Sequence, residues 1–172
     1  MDKIRLVGSG SEWMLGEDVV PIEDAMVSLI SSARDCIEMT MFSIWTGFEF
    51  VDRIWDSLDD AVNRGVHIYL VINDFHNQSS KAAMSRVGNL KSMGRDTVGV
   101  RSFNGLSGTL HAKILVVDEG SCIISSSNQS DKGYAKNHEL GVQIEGKRAK
   151  TASRMFRKLY SSKKCTSIID FE

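Results

Sequence analysis

The sequence predicts an α/β fold in which a mixed β-sheet is flanked by helices on both faces. The first part of the chain alternates amphipathic helices with short apolar strands, and the later part contains closely spaced strands. Together these two patterns argue for a layered sheet with both parallel and antiparallel strands. The chain has 172 residues, so we expect a single domain over residues 1–172.

The helices are predicted from apolar residues that recur at helical spacing. Pro21 suits the first turn of a helix, and the two acidic residues that follow Ile22 suit its positive end. Gly65 is expected to end the second helix, and Ser79 or Ser80 to cap the third. The predicted helices span residues 22–33, 50–62, 79–94 and 148–160.

The strands are predicted from short apolar runs between turn residues. The run at 66–72 is almost continuously apolar, as in a strand buried on both faces. Six strands are expected, at residues 36–42, 66–72, 97–103, 110–117, 121–126 and 139–144. The single proline and the lack of a Gly/Ser-rich run leave no obvious linker.

A net charge of −1 hides a strong asymmetry along the chain. Residues 1–60 carry 13 acidic and 4 basic side chains, a balance of −9, and the rest of the chain carries 9 and 17, a balance of +8. Eight basic residues and no acidic one lie between Gly146 and Lys164. Such a run suits a polyanion such as nucleic acid, but a solvated helix face that offsets the acidic half explains it equally well.

Polar side chains in two of the predicted strands indicate a binding site for a phosphoryl group. His111 and Lys113 are two residues apart, so they lie on one face of a strand. Ser126 and Asn128 have the same spacing on the next predicted strand. Buried polar groups are costly unless they are used. An imidazole, an ammonium, a hydroxyl and a carboxamide together can attack and hold a phosphate.

These residues resemble the HKD motif of the phospholipase D superfamily. The match is His111-x-Lys113-x4-Asp118, followed after six residues by Ser125-Ser126-x-Asn128, in which Ser125 replaces the usual glycine. Residues 37–43 and 61–72 are similar to the first core strand and to the helix, turn and second strand of that family. The likeness runs from about residue 22 to residue 160 and implies the layered α/β fold of the family.

The resemblance implies a role for each motif residue. His111 would be the nucleophile, and Lys113 would bind the non-bridging oxygens of the phosphate. Asn128 and Ser126 would donate hydrogen bonds there, and Glu139 matches the acidic residue expected to accept the far N–H of the histidine. Strand parity places Asp118 on the opposite face, so we expect this motif residue to be structural and to support the turn into Ser121.

Other residues are weaker candidates for substrate binding. Trp45 follows a predicted strand and could stack on a base, although packing explains it equally well. His76 lies in a polar loop after another strand, where α/β proteins often place site residues. The basic residues Lys147, Arg148 and Arg154 are candidate contacts to a polyanion.

The resulting prediction is a metal-independent phosphodiesterase, most simply a nuclease acting on DNA or RNA. No cofactor is expected, because Lys113 and Asn128 supply the electrostatics that a metal would otherwise provide. The alternatives are a phospholipid hydrolase and a silent nucleic-acid-binding module. Without a signal peptide, an apolar span or paired cysteines, we expect a cytoplasmic protein with reduced thiols and no membrane insertion.

The chain carries one HKD motif where larger family members carry two. A two-step displacement needs a nucleophile and a general acid on opposite sides of phosphorus. His67 and His138 do not fit this second role, because strand packing explains the first and strand alternation turns the second away. We therefore expect a homodimer that shares one active site across a two-fold axis.

Overall fold

The computed structural model describes residues 1–104, 108–128 and 137–168. Within these residues, nine strands form one sheet, and helices pack on both of its faces. The strands are β1 (Lys3–Ser9), β2 (Val19–Pro21), β3 (Cys36–Met41), β4 (His67–Asn73), β5 (Val98–Phe103), β6 (Lys113–Val117), β7 (Ser121–Ser125), β8 (Glu139–Glu145) and β9 (Cys165–Ser167). The helices are α1 (Ser11–Met14), α2 (Ile22–Ser31), α3 (Glu49–Asn63), α4 (Phe75–Gln78), α5 (Lys81–Met93) and α6 (Lys147–Tyr160).

The order of strands across the sheet is β2-β1-β8-β7-β6-β3-β4-β5-β9. Strands β3, β4 and β5 pair in parallel, as do β1 and β2, and every other neighbouring pair is antiparallel. The three parallel strands come from the part of the chain that alternates strand and helix, because a parallel pair needs a crossover connection. The predicted mixed α/β sheet is therefore confirmed.

The two faces of the sheet are covered differently. Helices α2, α3 and α5 pack on one face against alternate strand residues such as Met39, Leu70 and Leu115, and form the main core. Helix α6 lies on the other face, where its Ala149 and Ala152 pack against β6 and β7. Because α6 is a single helix, it covers only part of that face.

Several boundaries differ from those predicted. Strand β6 begins at Lys113 rather than at residue 110, because the backbone N–H of Leu110 donates to the side chain of Asn73 instead of joining a ladder (2.9 Å). Strand β7 ends at Ser125, so Ser126 and Asn128 follow the strand rather than belong to it. Strands β1, β2 and β9 were not predicted; β2 and β9 have only three residues each.

The helix ends follow local chemistry. Ser80, one of the two predicted caps, accepts a hydrogen bond from the backbone N–H of Ala83 at the start of α5 (3.1 Å). Gly65 follows α3 with φ of 81°, a conformation that favours glycine. Across the residues that the structure describes, no helix combines the length and the apolar character that crossing a bilayer requires.

Candidate active site

The polar residues of the motif meet at one edge of the sheet, here called the site edge. Lys113, the first residue of β6, pairs with Ser125, the last residue of β7, and Ser125 pairs in turn with Gly141 of β8. Strand β3 runs antiparallel to β6, so the end of β3 at Met41 reaches the same edge. The strand directions therefore bring side chains from four separate segments together.

His111 and Lys113 are in direct contact. The Nζ atom of Lys113 lies 3.0 Å from Nδ1 and 3.2 Å from Nε2 of His111. The Phe42 ring packs against His111 with its centroid 4.8 Å from that of the imidazole, and Lys113 Nζ lies 5.4 Å from the centroid of the same ring. The Lys113 ammonium is therefore held directly beside the imidazole, so a phosphate that reaches the histidine also meets this cation.

The two side chains differ in exposure. Lys113 is only 4% exposed, whereas His111 is open to solvent. Burial lowers the pKa of the Lys113 ammonium below its usual range, and the nearby negative charge of Glu139 acts in the opposite direction. The site edge therefore offers an accessible imidazole backed by a fixed, poorly hydrated cation.

The hydrogen-bond partners of Glu139 do not include His111, the residue that it was expected to orient, among the residues that the structure describes. Its two carboxylate oxygens accept hydrogen bonds from the Ser126 hydroxyl and from Asn137 Nδ2, the latter at 3.0 Å. Strand β7 lies between β8 and β6, so Glu139 and His111 are two strands apart, roughly 10 Å at the usual strand spacing. The contact expected between Glu139 and His111 is absent from the hydrogen bonds of the described residues.

Asn128 follows β7 at the same edge and is half-buried. Its Oδ1 atom is buried and accepts no hydrogen bond from the residues that the structure describes. A buried carboxamide oxygen without a partner costs free energy, and such groups are often found where a ligand binds. We find no group of three or more His, Cys, Asp or Glu side chains arranged for a metal ion among the described residues.

The sequence matches one known family along most of its length. The family model described as "Cardiolipin synthase, PLD-like domain" matches residues 26–160. The chain belongs to the phospholipase D-like family. Membership places it in a superfamily of phosphodiesterases, as the HKD resemblance implies.

Two curated relatives cover about seven-tenths of the chain. Phospholipase D Z of Dictyostelium discoideum is 34% identical over an alignment of 137 residues that covers 71% of this chain and 31% of that protein. The DISARM protein DrmC of Bacillus paralicheniformis is 27% identical over 122 residues, 70% of this chain and 48% of that protein. The chain thus spans between about a third and a half of the length of these relatives.

Solved structures share the fold of this phospholipase D-like chain. Nuc from Salmonella typhimurium, a phospholipase D family member, superposes with a TM-score of 0.76 at 20% identity, covering 99% of this chain and 100% of Nuc. NucT from Helicobacter pylori gives 0.70 at 18% identity, covering 98% and 100%. Phosphatidylserine synthase from Haemophilus influenzae Rd KW20 gives 0.72 at 10% identity, covering 99% of this chain but 41% of the synthase.

Asp118, the last residue of the phospholipase D-like motif, lies at the opposite end of β6 from Lys113. Its carboxylate accepts hydrogen bonds from the backbone N–H groups of Arg34, Asp35 and Cys36 at 2.9, 2.9 and 2.8 Å. The carboxylate thus fixes the entry into β3 instead of the turn into Ser121. With φ of 51°, Asp118 has also left the strand conformation on which the parity argument relied.

The weaker substrate-binding candidates fall into two groups. Trp45, which is 49% exposed, follows β3, and His76 is exposed in α4 after β4, so both lie near the site edge. Lys147 and Arg148 are the first residues of α6, which follows β8. Strand β8 starts at the site edge and ends at the opposite edge of the sheet. Arg148 forms an ion pair with Asp2.

The basic run therefore starts at the far end of the sheet. Seven residues of strand separate the two ends by roughly 20 Å, so Lys147 and Arg148 are not brought to the phosphate site. Arg154 is exposed on α6, where its guanidinium donates to Thr151 Oγ1 at 2.9 Å. Among the described residues, Arg154 makes no hydrogen bond or ion pair with the motif residues.

Two buried residues that the sequence analysis did not consider position the motif. The Thr40 hydroxyl donates to the carbonyl of Ala112 (2.6 Å) and accepts from the N–H of Ile114 (2.9 Å), so it fixes the backbone on both sides of Lys113. Asn73 holds the N–H of Leu110, next to His111. Both are polar residues in apolar strands, and that mismatch is the signal that could have revealed them.

Proposed function

We propose that this chain is a nuclease that hydrolyses phosphodiester bonds through a phosphohistidine intermediate without a metal ion. The observation that carries the proposal is the contact between the buried Lys113 ammonium and the ring nitrogens of the exposed His111. It places a residue that can attack phosphorus beside a buried cation that can bind the oxygens of a phosphoryl group.

The proposed reaction has two displacements. A ring nitrogen of His111 attacks phosphorus, the bond to the leaving oxygen breaks, and a general acid protonates that oxygen. Water then attacks phosphorus and gives its proton to the group that had acted as the acid, the P–N bond breaks, and His111 is released. Throughout, Lys113 and Asn128 bind the non-bridging oxygens, and Ser126, held by Glu139, lines the same edge. Asn73 and Thr40 keep the histidine segment aligned.

A second copy of the chain is proposed to supply the general acid, as the single motif suggests. Part of the sheet on the α6 side carries exposed apolar residues, here called the apolar face: Ile4, Leu6, Ile124 and Leu140 on the strands, with Met155 on α6, are 60%, 45%, 39%, 47% and 63% exposed. Register places Leu6 and Ile124 on either side of Val142, so these residues are contiguous across three strands. Patches of this kind mark interfaces more often than free surface.

The apolar face adjoins the motif. Ile124 directly precedes Ser125, and Leu140 directly follows Glu139, so a copy seated on this face would lie beside the site edge. A two-fold axis there would bring a second His111 near the first, and one histidine would attack while the other protonates the leaving oxygen. The near-complete coverage of Nuc and NucT supports the choice of a compact chain with one motif.

One observation favours a second candidate function, phospholipid hydrolysis. Segments that follow β1 and β3 expose apolar side chains near the site edge, here called the apolar rim. Its members are Trp13, Leu15, Trp45, Phe48 and Phe50, which are 45%, 86%, 49%, 37% and 37% exposed. Aromatic residues around a phosphodiesterase site suit a lipid interface as well as unpaired bases.

A substrate panel distinguishes these candidates. Plasmid DNA, single-stranded DNA, RNA, phosphatidylcholine vesicles and a chromogenic phosphodiester are incubated with the chain in EDTA. We expect cleavage of nucleic acid and of the chromogenic diester, loss of both in His111→Ala, and retention in His67→Ala, whose histidine lies at the other end of the sheet. Hydrolysis of phosphatidylcholine with intact nucleic acid would establish the second candidate, and binding without cleavage would indicate a silent module.

The intermediate gives a direct check on mechanism. Denaturation at alkaline pH during turnover of a labelled substrate should trap the label on His111, and base-stable, acid-labile attachment is expected for a phosphoramidate. The His111→Ala variant should fold normally by circular dichroism because the side chain is exposed and contributes little packing. Label on another residue, or turnover near that of the unmodified chain, would contradict the assignment.

A further inference from the structure

A cavity lies between α6 and the sheet, away from the site edge. Its volume is about 490 Å³, and it is lined by residues at the start of β3 and β4 and at the end of α6. Strand register places Glu38 opposite Val116, near the end of β6 that is remote from Lys113. The cavity is therefore separate from the His111 site.

A buried carboxylate with one unused oxygen forms part of the cavity wall. Glu38 is 1% exposed, and its Oε1 accepts a hydrogen bond from Arg157 Nε at 2.6 Å. Its Oε2 is buried and has no hydrogen-bond partner among the described residues. A carboxylate oxygen in this condition carries a desolvation cost that a ligand N–H could offset.

The surrounding charges disfavour an anionic ligand. Arg157 already neutralises Glu38, and its Nη1 also contacts Glu119 at 2.8 Å, while Lys150 lies 3.5 Å from Glu119. The hydrogen bond to Glu38 raises the pKa of Arg157, so the guanidinium stays charged. An anion would face Glu38 and Asp35, whereas an N–H donor can reach the free oxygen of Glu38.

Aromatic rings supply the other half of the recognition. The rings of His67 and Tyr69 lie parallel, with 8° between their planes and centroids 6.3 Å apart, and Tyr160 meets Tyr69 edge-on at 5.5 Å. Phe156 completes this wall. Rings of this kind favour a flat, aromatic ligand that can stack or pack edge-to-face.

We propose that this cavity binds a nucleobase, with an amino group of the base donating to Glu38 Oε2 and its ring packed against Tyr69 and Tyr160. A base is planar, neutral and carries N–H donors, and it is small enough for a cavity of about 490 Å³. The base can belong to a free nucleoside or to an unpaired nucleotide of a strand that crosses the basic outer surface of α6. A base stacked in a duplex would be excluded.

Titration of the full chain with two matched nucleosides tests the donor. Adenosine and purine riboside differ only in the 6-amino group, so adenosine should bind about tenfold more tightly, as expected for one hydrogen bond to a charged group. In Glu38→Gln this preference should disappear. Equal affinities of the unmodified chain for the two nucleosides, or no binding of adenosine at millimolar concentration, would overturn the proposal.

A second pair of variants keeps the test independent of Glu38, whose replacement could disturb folding. Tyr69→Leu should weaken adenosine binding about tenfold through loss of stacking, and Tyr69→Phe should not. Unchanged binding in a folded Tyr69→Leu chain would also refute the site. If Tyr69→Leu weakens the binding of a short single-stranded oligonucleotide to the same extent, the ligand is a base within a strand. Weakening of adenosine binding alone identifies a free nucleoside.

Hydrolysis of the chromogenic phosphodiester separates this inference from the proposed function. Tyr69 lies away from the site edge, so Tyr69→Leu should hydrolyse that small substrate at the unmodified rate. Adenosine binding by a chain that cleaves no phosphodiester would support the cavity and contradict the nuclease. Nucleic-acid cleavage by a chain that binds neither nucleoside would support the nuclease and contradict the nucleobase cavity.

Discussion

The Nζ atom of Lys113 lies within 3.2 Å of both ring nitrogens of His111, although one side chain is buried and the other exposed. This relationship joins the two chemical requirements of the site, because it places the imidazole that can attack phosphorus beside a cation that can bind the oxygens of the phosphate. It has a cost in stability, since burial opposes the ammonium form. The next two predictions follow from the effect of burial on the pKa of Lys113.

Lys113→Met should abolish catalysis and stabilise the fold. The folded pKa of Lys113 is below its unfolded value, so the folded state binds fewer protons and stability rises with pH through that window. The gain from Lys113→Met should therefore be largest at neutral pH and shrink as pH approaches about 10, the usual lysine range. Thermal unfolding at several pH values measures this, with Lys81→Met, at an exposed position, as the control. A lower melting temperature at neutral pH would contradict the argument.

The pH dependence of activity should show the same lysine. As pH rises through the lowered pKa of Lys113, the cation that binds the phosphate is lost, so kcat/KM should fall at a pH below the usual lysine range of about 10.4. The chromogenic phosphodiester allows this limb to be measured without changes in the ionisation of bases. An alkaline limb that survives unchanged in Lys113→Arg would assign it to another group.

Thr40→Val should lower kcat by about 10- to 100-fold with little effect on KM, since loss of two buried hydrogen bonds, one on each side of Lys113, costs about 1–3 kcal/mol. Valine matches the shape of threonine but offers neither the donor to Ala112 nor the acceptor for Ile114. Thr40→Ser retains both bonds and should restore the rate. Equal losses in the valine and serine variants would mean that packing, rather than hydrogen bonding, is responsible.

The sequence was most informative where a residue's neighbours along the chain determine its environment. The apolar run of β4 and the paired spacing of His111 and Lys113 belong to this class, and the contact between those two side chains spans only two residues. The partner of Glu139 depends instead on β7 lying between β8 and β6, which no local pattern specifies. Strand β8 runs away from the site edge, so Lys147, which follows it, lies at the far end of the sheet. The sequence shows that the run is basic but not in which direction the preceding strand runs.

Asp118→Ala should destabilise the fold by about 1.5–3 kcal/mol, the range for hydrogen bonds to a charged group. The carboxylate accepts three backbone N–H bonds at the start of β3, at the opposite end of β6 from the site edge. Specific activity measured well below the melting temperature should remain appreciable. Denaturant unfolding gives the stability change. A rate loss as large as that of Lys113→Ala at unchanged stability would place Asp118 in the chemistry after all.

The proposed dimer should depend on the apolar face and share one pair of histidines. Ile124→Glu and Leu140→Glu place charges on that face without touching His111 or Lys113, so they should yield monomers with greatly reduced cleavage. Ser85→Glu, at an exposed position on α5 on the other side of the sheet, serves as a matched charge control. Light scattering coupled to sizing chromatography should give about twice the chain mass of 19.1 kDa for the unmodified protein.

Mixed dimers provide the decisive measurement, because a shared site makes the two histidines interdependent. A heterodimer of one unmodified chain and one His111→Ala chain retains a nucleophile but lacks the acid that protonates the leaving oxygen. It should therefore be nearly inactive on a substrate with a poor leaving group, where independent sites would leave half of the activity. A nitrophenolate leaving group needs little protonation, so the same heterodimer should cleave the chromogenic diester far better. A fully active monomer would rule out the shared site and direct attention to His76, which is exposed near the site edge.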